Sequence, residues 1–112
     1  MPADTSILPE VRLNLVAPDV EAPVAIAVLL SDRNRATILA MLRNGPLCVC
    51  EMAAALDERS NNVSNHLARL REAGLVRASR MSADTRRNYY ERDEAACTAA
   101  LAQLKALLEP AR

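Results

Sequence analysis

Residues 60–76 decide the fold, and they read Ser-Asn-Asn-Val-Ser-Asn-His-Leu-Ala-Arg-Leu-Arg-Glu-Ala-Gly-Leu-Val. Three apolar residues recur at spacings of four and three, which places them on one face of a helix: Val63, Leu67 and Leu70. Ser60 is a residue type that caps the first turn of a helix, and Gly74 suits the left-handed position just beyond a helix end. The stretch therefore predicts a helix over residues 60–73 with one buried stripe.

A shorter helix is predicted immediately before this one, over the Ala-rich residues 51–56. The polar residues 57–59 leave room only for a tight turn, so the two helices have the proportions of a helix-turn-helix. Beyond Gly74 the helical period is lost over residues 75–81 and 86–92. The turn-forming residues 82–85 between them predict a two-stranded hairpin, which would supply a wing.

Apolar periodicity and capping residues predict three more helices, over residues 24–30, 35–43 and 93–109. The last of these has an apolar stripe formed by Cys97, Leu101, Leu104 and Leu108, with Leu107 beside it. Four of the six prolines precede the first helix, so residues 1–23 are predicted to be an N-terminal arm and residues 24–110 one domain. The predicted fold is mainly α with a small β-hairpin wing, a winged helix-turn-helix of order α-α-α-α-β-β-α.

Composition predicts how this fold is held together. The chain has 112 residues, 51% of them hydrophobic, yet it contains no Phe or Trp and only two Tyr. A chain of this size buries a limited share of its surface, and an Ala- and Leu-rich core is thinly filled, so we expect a homodimer. No run approaches the ~20 apolar residues of a membrane span, and no export signal is evident, so we expect a cytoplasmic protein without a membrane partner. An odd number of cysteines, three, argues against a disulfide framework.

Charge is distributed unevenly along the chain. The 14 basic and 14 acidic residues balance, but residues 59–92 contain eight arginines and three acidic residues, a net charge of +5. The other residues carry six basic and eleven acidic side chains, a net charge of −5. A basic stripe over a helix-turn-helix and its wing is the electrostatic pattern of phosphate binding. We therefore expect double-stranded DNA as a partner.

Asn and Arg side chains can read adenine and guanine in the major groove, and Ser can contact a base edge or a phosphate. With the apolar stripe inward, Asn61 and Asn65 point directly outward, while His66 lies nearer the stripe. For His66 a hydrogen bond to a phosphate or a carbonyl is the alternative to base reading. The candidate DNA-binding residues are Ser60, Asn61, Asn62, Ser64, Asn65, His66, Arg69, Arg71, Arg80, Arg86 and Arg87.

Residues 60–76 resemble the recognition-helix signature of winged-helix repressors of the ArsR/SmtB family. Residues 30–39, Leu-Ser-Asp-Arg-Asn-Arg-Ala-Thr-Ile-Leu, resemble an earlier helix of that family. With the Tyr89-Tyr90 strand and the apolar last helix, the resemblance covers roughly residues 24–108. It implies a homodimer paired through its first and last helices that leaves operator DNA when an inducer binds.

The cysteines indicate which inducer this would be. Residues 47–52, Leu-Cys-Val-Cys-Glu-Met, resemble the Leu-Cys-Val-Cys-Asp/Glu-Leu motif of the arsenic- and cadmium/lead-sensing branches. Thiolates are soft ligands, so Cys48 and Cys50 suit As(III), Sb(III), Cd(II) or Pb(II), and no organic cofactor is expected. Cysteines two residues apart cannot share one face of a regular helix, but at an extended helix start both can turn to one ion. Because the pair stands at the start of the first helix of the helix-turn-helix, ion binding there is expected to displace or unwind the helix that seats the recognition helix.

A third thiolate, which As(III) and Pb(II) favour, is less clearly indicated. Ala53 stands where the arsenic branch often has its third cysteine, and residues 1–47 contain none. Cys97 is either that ligand, contributed across the dimer, or a small buried hydrophobe on the last helix. The zinc site that other relatives build on the last helix is expected to be lost, because Ala95 and Ala106 stand where histidines would be needed.

Two other hypotheses stay open. The first keeps the repressor but makes its switch a thiol oxidation or persulfidation. Cys48 and Cys50 are expected to be too close in sequence for an easy direct disulfide, so Cys97 or a polysulfide bridge would take part. The second is a small helical dimerisation protein with inert cysteines. An enzyme is not expected. His66 is the only histidine and has no evident carboxylate partner, and the sequence contains no glycine-rich phosphate loop, so no catalytic group is indicated.

Overall fold

The computed structural model describes residues 15–80 and 88–110. The described helices are α1 (Glu21–Leu30), α2 (Arg33–Met41), α3 (Val49–Leu56), α4 (Ser60–Glu72) and α5 (Glu94–Leu108), with a 3-10 turn at Leu42–Asn44. The described strands are β1 (Leu47–Cys48), β2 (Val76–Ala78) and β3 (Tyr89–Arg92). The mainly helical winged helix-turn-helix is confirmed. The turn predicted at residues 82–85 and most of the predicted arm lie outside the described residues.

The buried stripe of α4 forms the centre of the core, as predicted. Val63, Leu67 and Leu70 are each at most 1% exposed. They belong to one cluster with side chains from α2, α3 and β2, whose fully buried members include Ile38, Met52 and Val76. This packing fixes how α4 is rotated, and it leaves the opposite, polar face of the helix in solvent.

The end of α4 is also as predicted. Gly74 has a φ of +82°, in the left-handed region. The Leu75 N–H donates to the Leu70 carbonyl at 3.0 Å and the Gly74 N–H to the Arg71 carbonyl at 2.9 Å, the hydrogen bonds of a Schellman motif. Leu75 is buried just beyond it. The chain therefore turns from α4 directly into β2.

Gly74→Ala is expected to lower the free energy of unfolding by about 1–2 kcal/mol, because a Cβ disfavours the left-handed conformation. No atom lies within 4 Å of the position where that Cβ would stand, so the cost comes from the backbone conformation. Urea denaturation followed by circular dichroism measures it. Gly74→Asn is the matched control and should lose less, since Asn tolerates this conformation. Equal losses in the two variants would contradict this explanation.

The start of α4 differs from the prediction. Arg59 occupies the N-cap position in an extended conformation and makes no side-chain cap, whereas Ser60 is already the first helical residue. The carbonyl of Arg59 accepts from the N–H groups of Asn62 and Val63 at 3.0 and 3.2 Å. The prediction that Ser60 caps this helix was therefore wrong, because the chain enters the helical conformation one residue earlier.

The sheet has one strand more than predicted. β1 pairs antiparallel with β3, with Leu47 opposite Tyr90 and Cys48 opposite Tyr89. β2 pairs antiparallel with the other edge of β3, so the strand order is β1-β3-β2. A strand of two residues is too short to show an alternating pattern, which is why the sequence indicated only an apolar step there. The strands of the wing are also shorter than the predicted residues 75–81 and 86–92.

The first two helices begin earlier than predicted. α1 starts at Glu21, whose N–H donates to Asp19 Oδ1 at 2.9 Å, so residues predicted to end the arm belong to the helix. Pro23 lies buried in the first turn, where a missing N–H costs nothing. α2 starts at Arg33 and is capped by Asp32, which accepts from the Arg35 N–H at 3.1 Å. That cap confirms the predicted break at residues 31–32.

α1 and α5 pack against each other and leave apolar side chains in solvent. On the predicted stripe of α5, Cys97 and Leu104 are half-buried, whereas Leu101 is 57% exposed. We call the exposed set the α1–α5 apolar surface: Val24, Val28, Leu101, Leu107 and Leu108. No residue of α5 is fully buried in the single chain, which agrees with the thin core inferred from composition. The homodimer stays a prediction.

Candidate nucleic-acid interface and cysteine pair

The polar face of α4 is free to meet a ligand. Every candidate DNA-binding residue on this helix except His66 is exposed: Ser60, Asn61, Asn62, Ser64, Asn65, Arg69 and Arg71. Arg80, after β2, is exposed as well, while Arg86 and Arg87 lie outside the described residues. Short amide and hydroxyl side chains occupy the exposed face of the first two turns of α4, and the longer arginine side chains follow.

The wing contributes fewer free cations than its arginine content indicates. Arg77 Nε lies 2.9 Å from Glu91 Oε2, and Arg77 Nη1 lies 3.2 Å from Asp93 Oδ2. Hydrogen bonding to Glu91 raises the pKa of Arg77. Arg92 Nε lies 3.0 Å from Glu94 Oε2. Within the part of the chain that the structure describes, Arg69, Arg71 and Arg80 form no ion pair, so they are the candidates for phosphate contacts.

His66 faces the protein, not the open side of α4. Its ring is half-buried, with Nε2 at 3.9 Å from Asp32 Oδ1 and Nδ1 at 3.5 Å from Arg35 Nη1. The Arg35 backbone N–H holds the pKa of the Asp32 carboxyl below its usual range, and the charges of His66 and Arg35 add to this effect. The structure thus places His66 among groups of α2, apart from the exposed reading face.

Arg35 links α1 to this region, a role that the sequence did not indicate. It is only 9% exposed. Its Nε donates to the Leu29 carbonyl at 2.7 Å and its Nη2 to the Val28 carbonyl at 3.5 Å. A cation at these carbonyls satisfies the last turn of α1 and complements the helix dipole. No short-range pattern could have shown that Arg35 also reaches α4, because its partner there, His66, is 31 residues away.

Glu58, in the turn of the helix-turn-helix, is another residue that the sequence did not single out. Its Oε1 accepts from Asn62 Nδ2 at 2.9 Å, and its Oε2 accepts from Asn34 Nδ2 at 3.4 Å. The hydrogen bond from Asn62 is the main cause that lowers the pKa of the Glu58 carboxyl. Asn62 is therefore exposed but already has one partner within the protein.

Cys48 and Cys50 lie together at the start of α3. Cys48 is the N-cap in an extended conformation, with φ −87° and ψ 159°, and its Sγ accepts from the Glu51 N–H at 3.4 Å. The Cys48 N–H donates in return to Glu51 Oε1 at 2.9 Å, which completes a capping box. Cys50, in the first turn, is exposed, whereas Cys48 is 1% exposed.

The two sulfurs are joined as a Cys48–Cys50 disulfide, with the Cα atoms 5.4 Å apart. The expectation that this pair is too close in sequence for a direct bond was wrong. Because Cys48 is still extended, its side chain turns to the same side as that of Cys50, and the Cα separation falls in the ordinary range for disulfides. The same geometry lets both sulfurs face one ion when they are reduced.

Cys97 lies in another part of the chain, on the inner side of α5. It is a half-buried free thiol whose Sγ is 3.8 Å from the Leu75 carbonyl oxygen, beside a cleft of about 300 Å³ that Leu39 and Arg92 also line. Over residues 15–80 and 88–110, no group of three or more His, Cys, Asp or Glu side chains is placed to hold a metal ion. A single chain therefore offers two thiolates at one point, and a set of three needs a ligand from elsewhere.

The thiol of Cys97 is expected to be alkylated far more slowly than that of Cys50. Burial raises the pKa of the Cys97 thiol, which lowers the reactive thiolate fraction, whereas Cys50 is exposed. After reduction, the protein can be treated with iodoacetamide at neutral pH and the modified peptides followed by mass spectrometry over time. Fully denatured protein is the control and should modify both cysteines at similar rates. Equal rates in the folded protein would contradict the placement of Cys97.

The α3-turn-α4 unit and the sheet beside it form a winged helix-turn-helix fold. Residues 32–78 match the family described as "Bacterial regulatory protein, arsR family". The chain belongs to this family, because it is also 32% identical to a solved regulator of which it covers 77%. Its members are regulatory proteins, which confirms the expectation that the chain is not an enzyme.

The relatives agree with this assignment. The chain is 42% identical over 55 residues to an "Arsenical resistance operon repressor" of Escherichia coli K12, an alignment that covers 48% of this chain. That alignment covers 47% of the relative, so the chain spans about half the length of this curated protein. A crystal structure of a "Possible transcriptional regulator for arsenical resistance" is 32% identical, with a TM-score of 0.58, over 72% of this chain and 77% of that one.

Another solved relative is reduced HlyU from Vibrio cholerae N16961, which is 26% identical with a TM-score of 0.57. It matches 80% of this chain and 90% of its own. This match extends well beyond the family segment, so the likeness includes helices outside the helix-turn-helix. Among the described helices, none is long and apolar enough to cross a membrane.

Proposed function

We propose that the chain is a cytoplasmic transcriptional repressor that binds operator double-stranded DNA as a homodimer and is released when a thiophilic ion binds Cys48 and Cys50. As(III) or Sb(III) is the first choice of inducer, with Cd(II) or Pb(II) as the alternative. The observation that carries the proposal is the meeting of two sulfurs at the N-terminus of α3, the helix that seats α4. The relatives named for arsenical resistance support the choice of ion.

DNA binding is proposed for the exposed face of α4. Asn61 and Asn65 would approach base edges, where Asn pairs with adenine, and Arg69 and Arg71 would contact guanine or phosphate. Arg80 lies at the start of the wing, and Arg86 and Arg87 are proposed to contact phosphates with it. His66 is left out of base reading because its ring faces Asp32 and Arg35.

Release is proposed to start at the Cys48 sulfur. This atom accepts the Glu51 N–H, so a bond to an ion would replace part of the cap of α3. α3 packs on α4, and Cys48 is also paired with Tyr89 of the wing strand β3. A change at the Cys48 sulfur would therefore occur next to both proposed DNA-contacting elements, α4 and the wing. A typical allosteric coupling of about 1–3 kcal/mol would weaken operator binding by about 5–150-fold.

The residues fit a soft ion only in part. Two thiolates from one chain form a chelate, and soft donors suit As(III) and Cd(II) better than imidazole would. A third ligand would come from solvent or from Cys97 of a second chain. The role of Cys97 as a ligand stays a prediction, and a titration followed by thiolate-to-metal absorption in wild type and Cys97→Ser decides it.

The test uses a duplex taken from the region upstream of the protein's own gene. Fluorescence anisotropy measures its affinity for the reduced protein with and without arsenite, and then with Cd(II) and Pb(II). Tight binding that falls by at least about fivefold with one of the ions is expected. Failure to bind any duplex would overturn the repressor, whereas binding that no ion affects would overturn only the inducer.

A redox-responsive repressor is the second candidate, and the Cys48–Cys50 disulfide favours it. In this scheme hydrogen peroxide takes two electrons and two protons from the thiol pair and is reduced to two waters, while the disulfide forms. Hydrogen peroxide should then release the duplex without any ion, also in Cys97→Ser. No change in operator affinity on oxidation, with the disulfide verified by mass spectrometry, would remove this candidate. Membership of a family of regulators gives no support to an inert dimerisation protein.

A further inference from the structure

A group of polar side chains between α2 and the start of α4 has no part in the proposed mechanism. We call it the α2–α4 polar cluster, and its members are Asp32, Asn34, Arg35, Glu58, Asn62 and His66. Two of them, Asn62 and His66, are one turn apart on α4. The cluster therefore contacts α4 at the same turns that carry the short Asn side chains of its exposed face.

Glu58 is the member that reaches an exposed candidate reading residue. Its carboxylate binds Asn62 of α4 through Oε1 at 2.9 Å and Asn34 of α2 through Oε2 at 3.4 Å. Asn62 is exposed, while Asn34 and Glu58 are half-buried. A side-chain amide has two N–H donors and an acceptor oxygen. With one N–H of Asn62 held by Glu58, the other N–H and Oδ1 remain for a ligand.

We propose that Glu58 is a positioning residue for operator reading, which orients the Asn62 amide and ties it to α2 through Asn34. The inference rests on the proposed function, since it needs a DNA sequence to be read. Bidentate contact with a base requires the plane of the amide to be fixed. An amide that is already held in one orientation loses less conformational freedom on binding.

The positioning role of Glu58 can be distinguished from a purely electrostatic effect of its negative charge. A carboxylate close to a phosphate-binding helix weakens attraction to every duplex alike, because that attraction is independent of sequence. Removing only the charge should therefore strengthen binding to all duplexes. Removing the orientation of Asn62 should instead weaken binding to the operator alone, so the ratio of specific to nonspecific affinity distinguishes the two effects.

The experiment compares Glu58→Ala with Glu58→Gln, which removes the charge but keeps an acceptor oxygen for Asn62. The probes are the duplex that wild type enriches from a random-sequence library and one unrelated duplex. Glu58→Ala should lower the affinity ratio about tenfold, and Glu58→Gln should keep it within about twofold. Glu72→Ala is the charge control, because Glu72 is exposed on the same helix outside the cluster. It should change both affinities equally.

A double variant tests whether Glu58 acts through Asn62. It adds Glu58→Ala to Asn62→Ala. There, adding Glu58→Ala should change the ratio no further, because its effect passes through the Asn62 amide. Circular dichroism verifies that each variant is folded. If Glu58→Ala keeps the wild-type ratio as Glu72→Ala does, the positioning role is overturned while the repressor stands. If wild type enriches no duplex at all, the proposed function fails and this inference fails with it.

Discussion

Cys50→Ser is expected to abolish the response to arsenite while the affinity for the operator duplex stays within about twofold of wild type. Cys50 is exposed, and its bond to Cys48 is opened in the reduced protein, so its thiol is then available to the ion. In wild type, arsenite should lower operator affinity by about 5–150-fold. Fluorescence anisotropy of the reduced proteins, titrated with and without arsenite, measures both effects.

Cys48→Ser should behave in the same way for a different reason. Ser is a preferred N-cap residue, so its hydroxyl can take over the hydrogen bond from the Glu51 N–H and keep α3 capped. Cys97→Ser is the matched control, and it keeps the response if Cys97 is a core thiol. A Cys50→Ser protein that still releases the duplex with arsenite would remove this pair from the proposed site.

Val28→Asp and Leu101→Asp are each expected to give a monomer and to weaken operator binding by about 100-fold or more. Both side chains belong to the α1–α5 apolar surface, where they are 56% and 57% exposed in the single chain. An unpaired charge buried in a dimer contact is strongly unfavourable. Loss of the second subunit removes the gain from two linked binding events, which is typically 10²–10⁴-fold.

Analytical ultracentrifugation and anisotropy measure the two effects in the same samples. Asn44→Asp is the charge-matched control, since Asn44 is exposed in the 3-10 turn outside this surface. It should stay dimeric and keep its operator affinity within a few-fold. Variants that remain dimeric with Asp at position 28 or 101 would show that the chains pair through another surface.

The predictable part of the fold is local. Val63, Leu67 and Leu70 revealed the buried face of α4 by spacing alone, and Gly74 marked its end because few residues adopt a positive φ. β1 was not predictable, because two residues show no period and their partners, Tyr89 and Tyr90, are more than 40 positions away. Such pairing is decided by tertiary structure.

The same division holds for the candidate site. The exposed Asn and Arg residues of α4 followed from helical geometry once its apolar face was known. The partners of His66 did not, because Asp32 and Arg35 reach it from another helix. The charge count overstated the number of wing arginines that are available to DNA, since Arg77 and Arg92 are paired with acidic side chains. The sequence shows which cations are present, and the fold determines which of them remain available to a phosphate.

Arg35 has a consequence for the operator itself. It donates to the carbonyls that end α1 and also contacts His66 on α4, so one buried side chain reaches both helices. In the proposed dimer paired through α1 and α5, the angle between α1 and α4 would set the distance between the two α4 helices. Helix-turn-helix dimers read half-sites about 34–36 Å apart, one turn of DNA. Arg35 would thereby link the subunit contact to the spacing of the two half-sites, a quantity that no base contact determines.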